Sequence, residues 1–334
     1  MNICAPEELT ATAADLGADP LLVQGAGGNA SVKIGDALWV KASGTWMRDA
    51  VLRNIFAHVA LAPLLALRDN GEFEAMDALL QSGRAVDGLR PSIETSLHAL
   101  MPHAAVVHAH AVNSVAVSVL GDGQSRFEHA MGRDLHGVFI PYTKPGAPLA
   151  EAVAEALAVH GPADILLLQN HGVVVGADRP RGAGDLLREV ERRLTLPVRA
   201  LPKPDIAAAR AHENEAYCLA EAHSGAARDS FLFEVLTRAP LTPDQVVFLG
   251  GAVGVAALTE ACAGPAPLIY KAGVGAFTRR DCTPGALSMI DALLDVALRL
   301  PEGAEVVGLA GSDAAELLDW EAEKYRKSLD VSGA

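Results

Sequence analysis

The stretch Val106-Val107-His108-Ala109-His110 constrains this chain more than any other. Its two valines bias the segment towards a strand, because β-branched side chains suit a pleated, half-buried surface. Residues i and i+2 of a strand point to one face, so both imidazoles can reach one cation. An HxH pair alone is also found as ordinary strand decoration. Two other residues add to it. Glu94 lies 14 positions ahead of His108, and His171 stands in Gln169-Asn170-His171-Gly172. The apolar run Ile165 to Leu168 reads as a buried strand that delivers Asn170 and His171 to its C-terminal end. Three histidines with a carboxylate make a catalytic rather than a structural zinc set, since a water or substrate oxygen can still bind.

A chain of 334 residues can bury a sizeable core and hold two domains. Its 27 basic and 41 acidic residues leave a net charge of −14, which argues against nucleic acid as a partner because such binders carry a basic face. A small molecule, even an anionic one, remains compatible with that charge. Hydrophobic residues at 50% and charged ones at 20% describe a compact globular protein. Cys4, Cys218, Cys262 and Cys282 show no CxxC spacing, so neither a zinc ribbon nor a disulfide framework is indicated. The segment Met1 to Pro20 has four acidic residues and no basic region before an apolar core, which does not fit a signal peptide. No uncharged apolar run has the length of a membrane helix, and a cytoplasmic location is expected.

In chain order, Glu7 to Leu16 reads as a helix stopped at Asp19-Pro20. Gly25-Ala26-Gly27-Gly28-Asn29-Ala30-Ser31 follows, either an ordinary glycine-rich turn or a backbone nest for an anion. Gly35-Asp36 suits a tight hairpin between two alternating segments, the second ending in Ala42-Ser43-Gly44-Thr45. Arg90-Pro91-Ser92 precedes a helical segment from Ile93 to Leu100, which makes Ser92 a candidate N-cap and puts Glu94 in the first turn. Three prolines between Pro197 and Pro204 mark a boundary. Beyond it we read helices over 206–224, 284–300 and 313–329, and strands over 245–249, 268–271 and from Gly273 to Phe277. The glycines of this region make no dinucleotide fingerprint.

The ordered set GAGGNAS, KASGT, RPSIE, HAH and QNHG resembles the class II aldolase/adducin family over the first 200 residues or so. RPSIETSLHAL, LTPDQVVFLG and WEAEKY resemble more closely the aldolase module of bifunctional rhamnulose-phosphate aldolase/alcohol dehydrogenases. The resemblance implies an α/β fold, an α/β/α sandwich with a mainly antiparallel central sheet. Residues 1–200 would form the catalytic domain, and 201–334 a helical connector and smaller C-terminal α/β lobe. It implies His108, His110 and His171 as ligands of a divalent metal, zinc before others, with Glu94 as acid/base. It places Asn29, Ser43, Gly44 and Ser92 at the substrate, where family members bind a phosphate. Ile93 replaces the second serine common in phosphate-using members, and Ala26 a hydroxyl residue.

Implied with these is a lyase that makes or breaks a C–C bond in a sugar-derived or hydroxy-keto substrate through a metal-stabilised enediolate. Decarboxylase, epimerase and dehydratase chemistry fit the same scaffold, and a non-catalytic adducin-like protein is the reading from another class. Retention of all three histidines with Glu94 favours the enzyme. A carboxyl lifted towards neutrality by poor solvation would serve Glu94 best. Tyr142, in a Gly/Pro loop, is the candidate proton donor. Homo-oligomeric assembly is expected, a tetramer foremost. His98, His103, His129, His136, His212 and His223 are read as structural, as are Trp39, Trp46, Cys218 and Cys262.

Overall fold

The computed structural model describes residues 5–82, 89–250, 255–258 and 266–319. Cys4, Cys262 and the 320–329 part of the last expected helix lie outside the described residues. Two compact units divide the chain: Met1–Ser118 with Gly123–Thr195, and Val119–Asp122 with Leu196–Ala334.

The first unit is built on seven strands: β1 (Asn29–Ile34), β2 (Ala37–Lys41), β3 (Phe56–Ala60), β4 (Ala105–Ala109), β5 (Gly137–Ile140), β6 (Ile165–Leu168) and β7 (Gly172–Ala177). They lie in the order β3-β2-β1-β4-β7-β6-β5. Within this sheet β5 and β6 pair in parallel, and the other pairings are antiparallel. Among the described residues, helices accompany the sheet: α1 (Glu7–Gly17), α2 (Leu61–Asp69), α3 (Phe73–Ser82), α4 (Thr95–Leu100), α5 (Val112–Ser118), α6 (Gly123–Met131), α7 (Ala147–His160) and α8 (Pro180–Arg193).

Strand alternation sorts the side chains into two layers. Val106, Leu166, Leu168 and Val174 pack with Leu97 of α4 and with Leu149 and Val153 of α7. Leu38 and Val40 continue that layer against Leu64, Met76 and Leu80. Val107, Val173 and Val175, of the opposite parity, are also buried, and α8 lies against β4 and β7. Helices therefore cover both faces of a mainly antiparallel sheet, the α/β/α arrangement that the sequence motifs imply. Each fully buried Val or Leu contributes about 1.5–3 kcal/mol, so this sandwiching carries much of the stability.

Register sets up the site. In the β1–β4 ladder Asn29 stands opposite His108 and Ser31 opposite Val106. Directly opposed residues share a face, so Asn29, Ser31 and His108 all look towards α4. There the fully buried His98 meets Ser31, with Nδ1 2.7 Å from the hydroxyl. A structural role for His98 thus has a named partner. His103 likewise pairs with Asp164 at 2.8 Å.

Glu191 holds the chain just beyond the histidine strand. It is a buried carboxylate on α8. It accepts the backbone N–H of Asn113 at 2.9 Å and of Ser114 at 2.8 Å, together with the Ser114 hydroxyl. These donors belong to the first turn of α5, whose backbone N–H groups have no partner within the helix.

The second unit has its own sheet, ordered β8-β11-β10-β9, of β8 (Tyr217–Leu219), β9 (Val255–Leu258), β10 (Leu268–Lys271) and β11 (Gly275–Arg279). Its helices are α9 (Ile206–Arg210), α10 (Ser230–Arg238), α11 (Pro243–Leu249), α12 (Pro284–Ala297) and α13 (Gly311–Asp319). Two expectations fail here. The helix read over 206–224 ends at Arg210, because Asn214 Oδ1 takes the N–H groups of Ala216 and Tyr217, both at 2.9 Å, and turns the chain into β8. The strand read over 245–249 is α11. Thr242 caps it through the N–H of Gln245 at 3.3 Å, Pro243 opens it, and Gly250 closes it in the left-handed conformation. All seven of its residues are buried, so no period distinguished helix from strand. Among the described residues no helix is long and apolar enough to cross a membrane.

Replacing Glu191 with Ala leaves the first turn of α5 without its acceptor. Chemical denaturation should show a loss of about 3 kcal/mol, given the cost of orphaned buried donors. A loss under about 0.5 kcal/mol, the range of neutral surface changes, would contradict this role.

Candidate metal centre

Three short segments converge on one point. His108 is the fourth residue of β4, and His110 follows one residue after that strand. His171 comes from the tight turn between β6 and β7. Asn170, in the left-handed conformation at φ 56°, makes that turn possible, and Asn tolerates this conformation better than most residues. Gly172 then lets β7 run close to β4, since a Cβ there would lie 2.4 Å from the Ala109 carbonyl oxygen. Glu94 comes from the residue preceding α4.

All four side chains are buried. The Nε2 atoms of His108 and His110 are 3.0 Å apart, and Glu94 Oε1 lies 3.2 Å from His108 Nε2 and 3.0 Å from His171 Nε2. One potential ligand atom from each residue falls within 4.8 Å of every other. Four ligands about 2.1 Å from a tetrahedral zinc are about 3.4 Å apart, so the spacing suits such an ion. His108 Nδ1 sits 3.1 Å from the Val173 carbonyl oxygen, which only accepts, so the proton belongs on Nδ1 and the lone pair on Nε2. The donor set, imidazole with one carboxylate, suits a divalent transition ion.

Charge in the cluster follows from its burial. Burial pushes the His171 imidazole down to about 4, outweighing the upward pull of Glu94, so the ring is neutral at neutral pH. Burial acts on Glu94 in the opposite sense, but the neighbouring His108 and His171 prevail and hold its carboxyl well below the usual range. A carboxyl raised towards neutrality, as poor solvation alone would give, is not found, because the imidazoles stand so close.

The expected substrate residues divide. Asn29 joins the cluster directly, donating from Nδ2 to Glu94 Oε2 at 2.8 Å. Ser92 is one turn away: its Oγ accepts the Glu94 N–H at 3.3 Å. It does not cap α4, which starts at Thr95, because its own N–H is bonded to the Lys41 carbonyl oxygen at 3.3 Å and keeps it beside the end of β2. Ser43 lies on that same edge, its N–H donating to the Arg90 carbonyl oxygen at 2.8 Å, with Gly44 following at φ 73°. Tyr142 is half-buried beyond β5, and its N–H donates to Gln169 Oε1 at 3.1 Å, two residues before His171. Glu191 and the buried Lys41, whose ammonium donates to the Ala26 carbonyl oxygen at 3.0 Å, were not singled out from sequence. Both roles depend on distant partners. The proline after Arg90 was the available hint that this segment is extended and could lie along β2.

With this geometry in place, the likenesses to known proteins take on meaning. The profile of the class II aldolase and adducin N-terminal domain matches residues 7–197. An uncharacterized oxidoreductase, YuxG of Bacillus subtilis (strain 168), is 29% identical over 180 residues, 50% of this chain and 26% of that protein. The chain thus spans about a quarter of the length of this curated relative. Among solved structures, the N-terminal class II aldolase domain of a conserved Thermoplasma acidophilum protein is 26% identical, with a TM-score of 0.49, covering 58% of this chain and 94% of that one. The L-fuculose-1-phosphate aldolase of Thermus thermophilus is 18% identical with a TM-score of 0.38, covering 56% and 89%. YgbL of Klebsiella pneumoniae, a putative aldolase/epimerase/decarboxylase, is 22% identical with a TM-score of 0.41, covering 56% and 85%.

Packing and charge in this cluster each have a measurable consequence. Gly172→Ala should lower stability by about 1–3 kcal/mol, the usual cost of overpacking, and weaken zinc uptake in a chelator competition. Wild-type affinity in that variant would contradict the close-approach argument. The second consequence concerns acid. Burial depresses His98 from 6.5 to about 3, alongside His171. Below pH 6.5 the unfolded chain takes up protons that the folded chain refuses, so the stability is fully present above 6.5 and is lost as pH falls towards 3. Urea midpoints of metal-free protein should fall across this window, and less steeply for His98→Gln. Equal slopes for the two proteins would contradict the burial argument.

Proposed function

The chain belongs to the class II aldolase and adducin family, and on that premise we propose that it is a divalent-metal-dependent lyase. Its reaction makes or breaks a C–C bond in a sugar-derived or hydroxy-keto substrate, with zinc as the metal. Residues 1–200 are assigned to catalysis, and 201–334 to a separate C-terminal lobe. One observation carries this reading: three buried histidines and a buried carboxylate each bring a potential ligand atom within 4.8 Å of the others. The presence of all three histidines together with Glu94 favours the enzyme over a non-catalytic scaffold.

His108, His110 and His171 are assigned to hold the ion. When bound, a divalent cation supplies a Lewis acid for a substrate carbonyl. Neutral imidazole ligands leave its positive charge uncancelled. Glu94 is assigned to move the proton at the substrate carbon. It starts ionised, as its depressed pKa requires, and its Oε2 is steadied by Asn29. Tyr142 is assigned to the proton on the oxygen of the leaving carbonyl. Ser43, Gly44, Ser92 and Asn29 are assigned to the rest of the substrate. The reading includes homo-oligomeric assembly, four copies foremost, and a cytoplasmic location.

Glu94→Gln tests the assignment with little change in shape. With zinc content held at the wild-type level, exchange of carbon-bound hydrogen of dihydroxyacetone with deuterated water should fall about 10²–10⁴-fold, the usual worth of a positioned acid/base. Exchange at the wild-type rate would remove Glu94 from the proposal.

A further inference from the structure

Asn29 links to Glu94 in a way that bears on which substrates the site accepts. A carboxylate oxygen only accepts hydrogen bonds, so the amide group that faces Glu94 Oε2 at 2.8 Å must be Nδ2. This fixes the orientation of the carboxamide. The other end, Oδ1, is buried beside Glu94 and has no hydrogen-bond partner in the structure, on a residue that is 3% exposed. A buried acceptor without a donor is costly to maintain and rewards a ligand that supplies one.

Several donors of the surrounding loops that could hold a phosphate are turned to the protein itself. A phosphate at neutral pH presents mostly acceptor oxygens and is held by N–H and O–H groups pointing at it. Here the Ser43 N–H is committed to the Arg90 carbonyl oxygen at 2.8 Å and the Gly27 N–H to that of Gln24 at 2.9 Å. The Thr45 hydroxyl donates to the Ala42 carbonyl oxygen at 2.7 Å. Ile93, between Ser92 and Glu94, brings no side-chain donor. An acceptor oxygen at Asn29 would face another acceptor in any phosphate placed beside it.

Resting on the lyase reading above, we propose that Asn29 selects a substrate hydroxyl, and that the substrate class is an unphosphorylated polyhydroxy carbonyl compound whose hydroxyl donates to Asn29 Oδ1. The same carboxamide positions Glu94 through Nδ2. One residue thereby ties substrate choice to the orientation of the acid/base.

The test is binding of two probes to the zinc-loaded full chain by calorimetry. Glycolohydroxamate and phosphoglycolohydroxamate share the chelating group and differ in a terminal hydroxyl or phosphate. Wild type should bind the hydroxyl probe about tenfold or more tightly than the phosphate probe, as expected for a site that pairs a substrate hydroxyl. Asn29→Ala should bring the ratio close to one. If that variant does not fold, Asn29→Ser keeps a donor for Glu94, withdraws Oδ1, and should show the same loss of preference. Tighter binding of the phosphate probe by wild type, an unchanged ratio in the variants, or binding of neither probe would overturn the assignment. A clear hydroxyl preference without any solvent exchange or cleavage would support Asn29 as a hydroxyl reader and remove the lyase reading alone.

Discussion

Three imidazoles and the Glu94 carboxylate are gathered, all buried, around one point inside the first unit, and that convergence is the constraint on which the rest of the site depends. The Val173 carbonyl places the His108 proton on Nδ1 and leaves the lone pair on Nε2. Burial pushes His171 towards its neutral form, which removes a second source of charge. A group of this kind could hold a metal ion, which would compensate polar atoms that are expensive to bury alone.

The sheet supplies this geometry through its register. Pairing of β1 with β4 sets Asn29 across from His108, and pairing of β4 with β7 sets His108 across from Val174, three residues beyond His171. Close approach at Gly172 narrows the gap between the last two histidines. Glu191, on the other side of the strand, anchors the chain that follows His110. Gly172 and Glu191 act on the cluster through the backbone they position.

Much of the centre was legible because its ligands lie in strongly patterned sequence. The valines before His108 and the four-residue apolar run before Gln169 announced strands, and strand geometry then dictated which side chains share a face. The β1–β2 hairpin was legible through Gly35-Asp36 for the same reason. What was lost lies in tertiary pairing. Ser92 looked like a helix cap because local spacing permits it, but its N–H is held by β2, 51 residues earlier at Lys41. The depressed carboxyl of Glu94 depends on imidazoles at positions 108 and 171 that no local window contains. In the second unit, Val246-Val247-Phe248-Leu249 gave no period to read, and the capping signal Thr242-Pro243 was passed over.

Elemental analysis of the purified protein tests the central claim most directly. Wild type, His108→Ala and His171→Ala should be prepared in parallel and confirmed as folded by circular dichroism. The account predicts about one zinc or other divalent ion per chain in wild type, the occupancy of a single three-histidine site, and loss of that ion in both variants. A folded wild type that remains metal-free after divalent ions are supplied, or variants that keep full metal content, would contradict it.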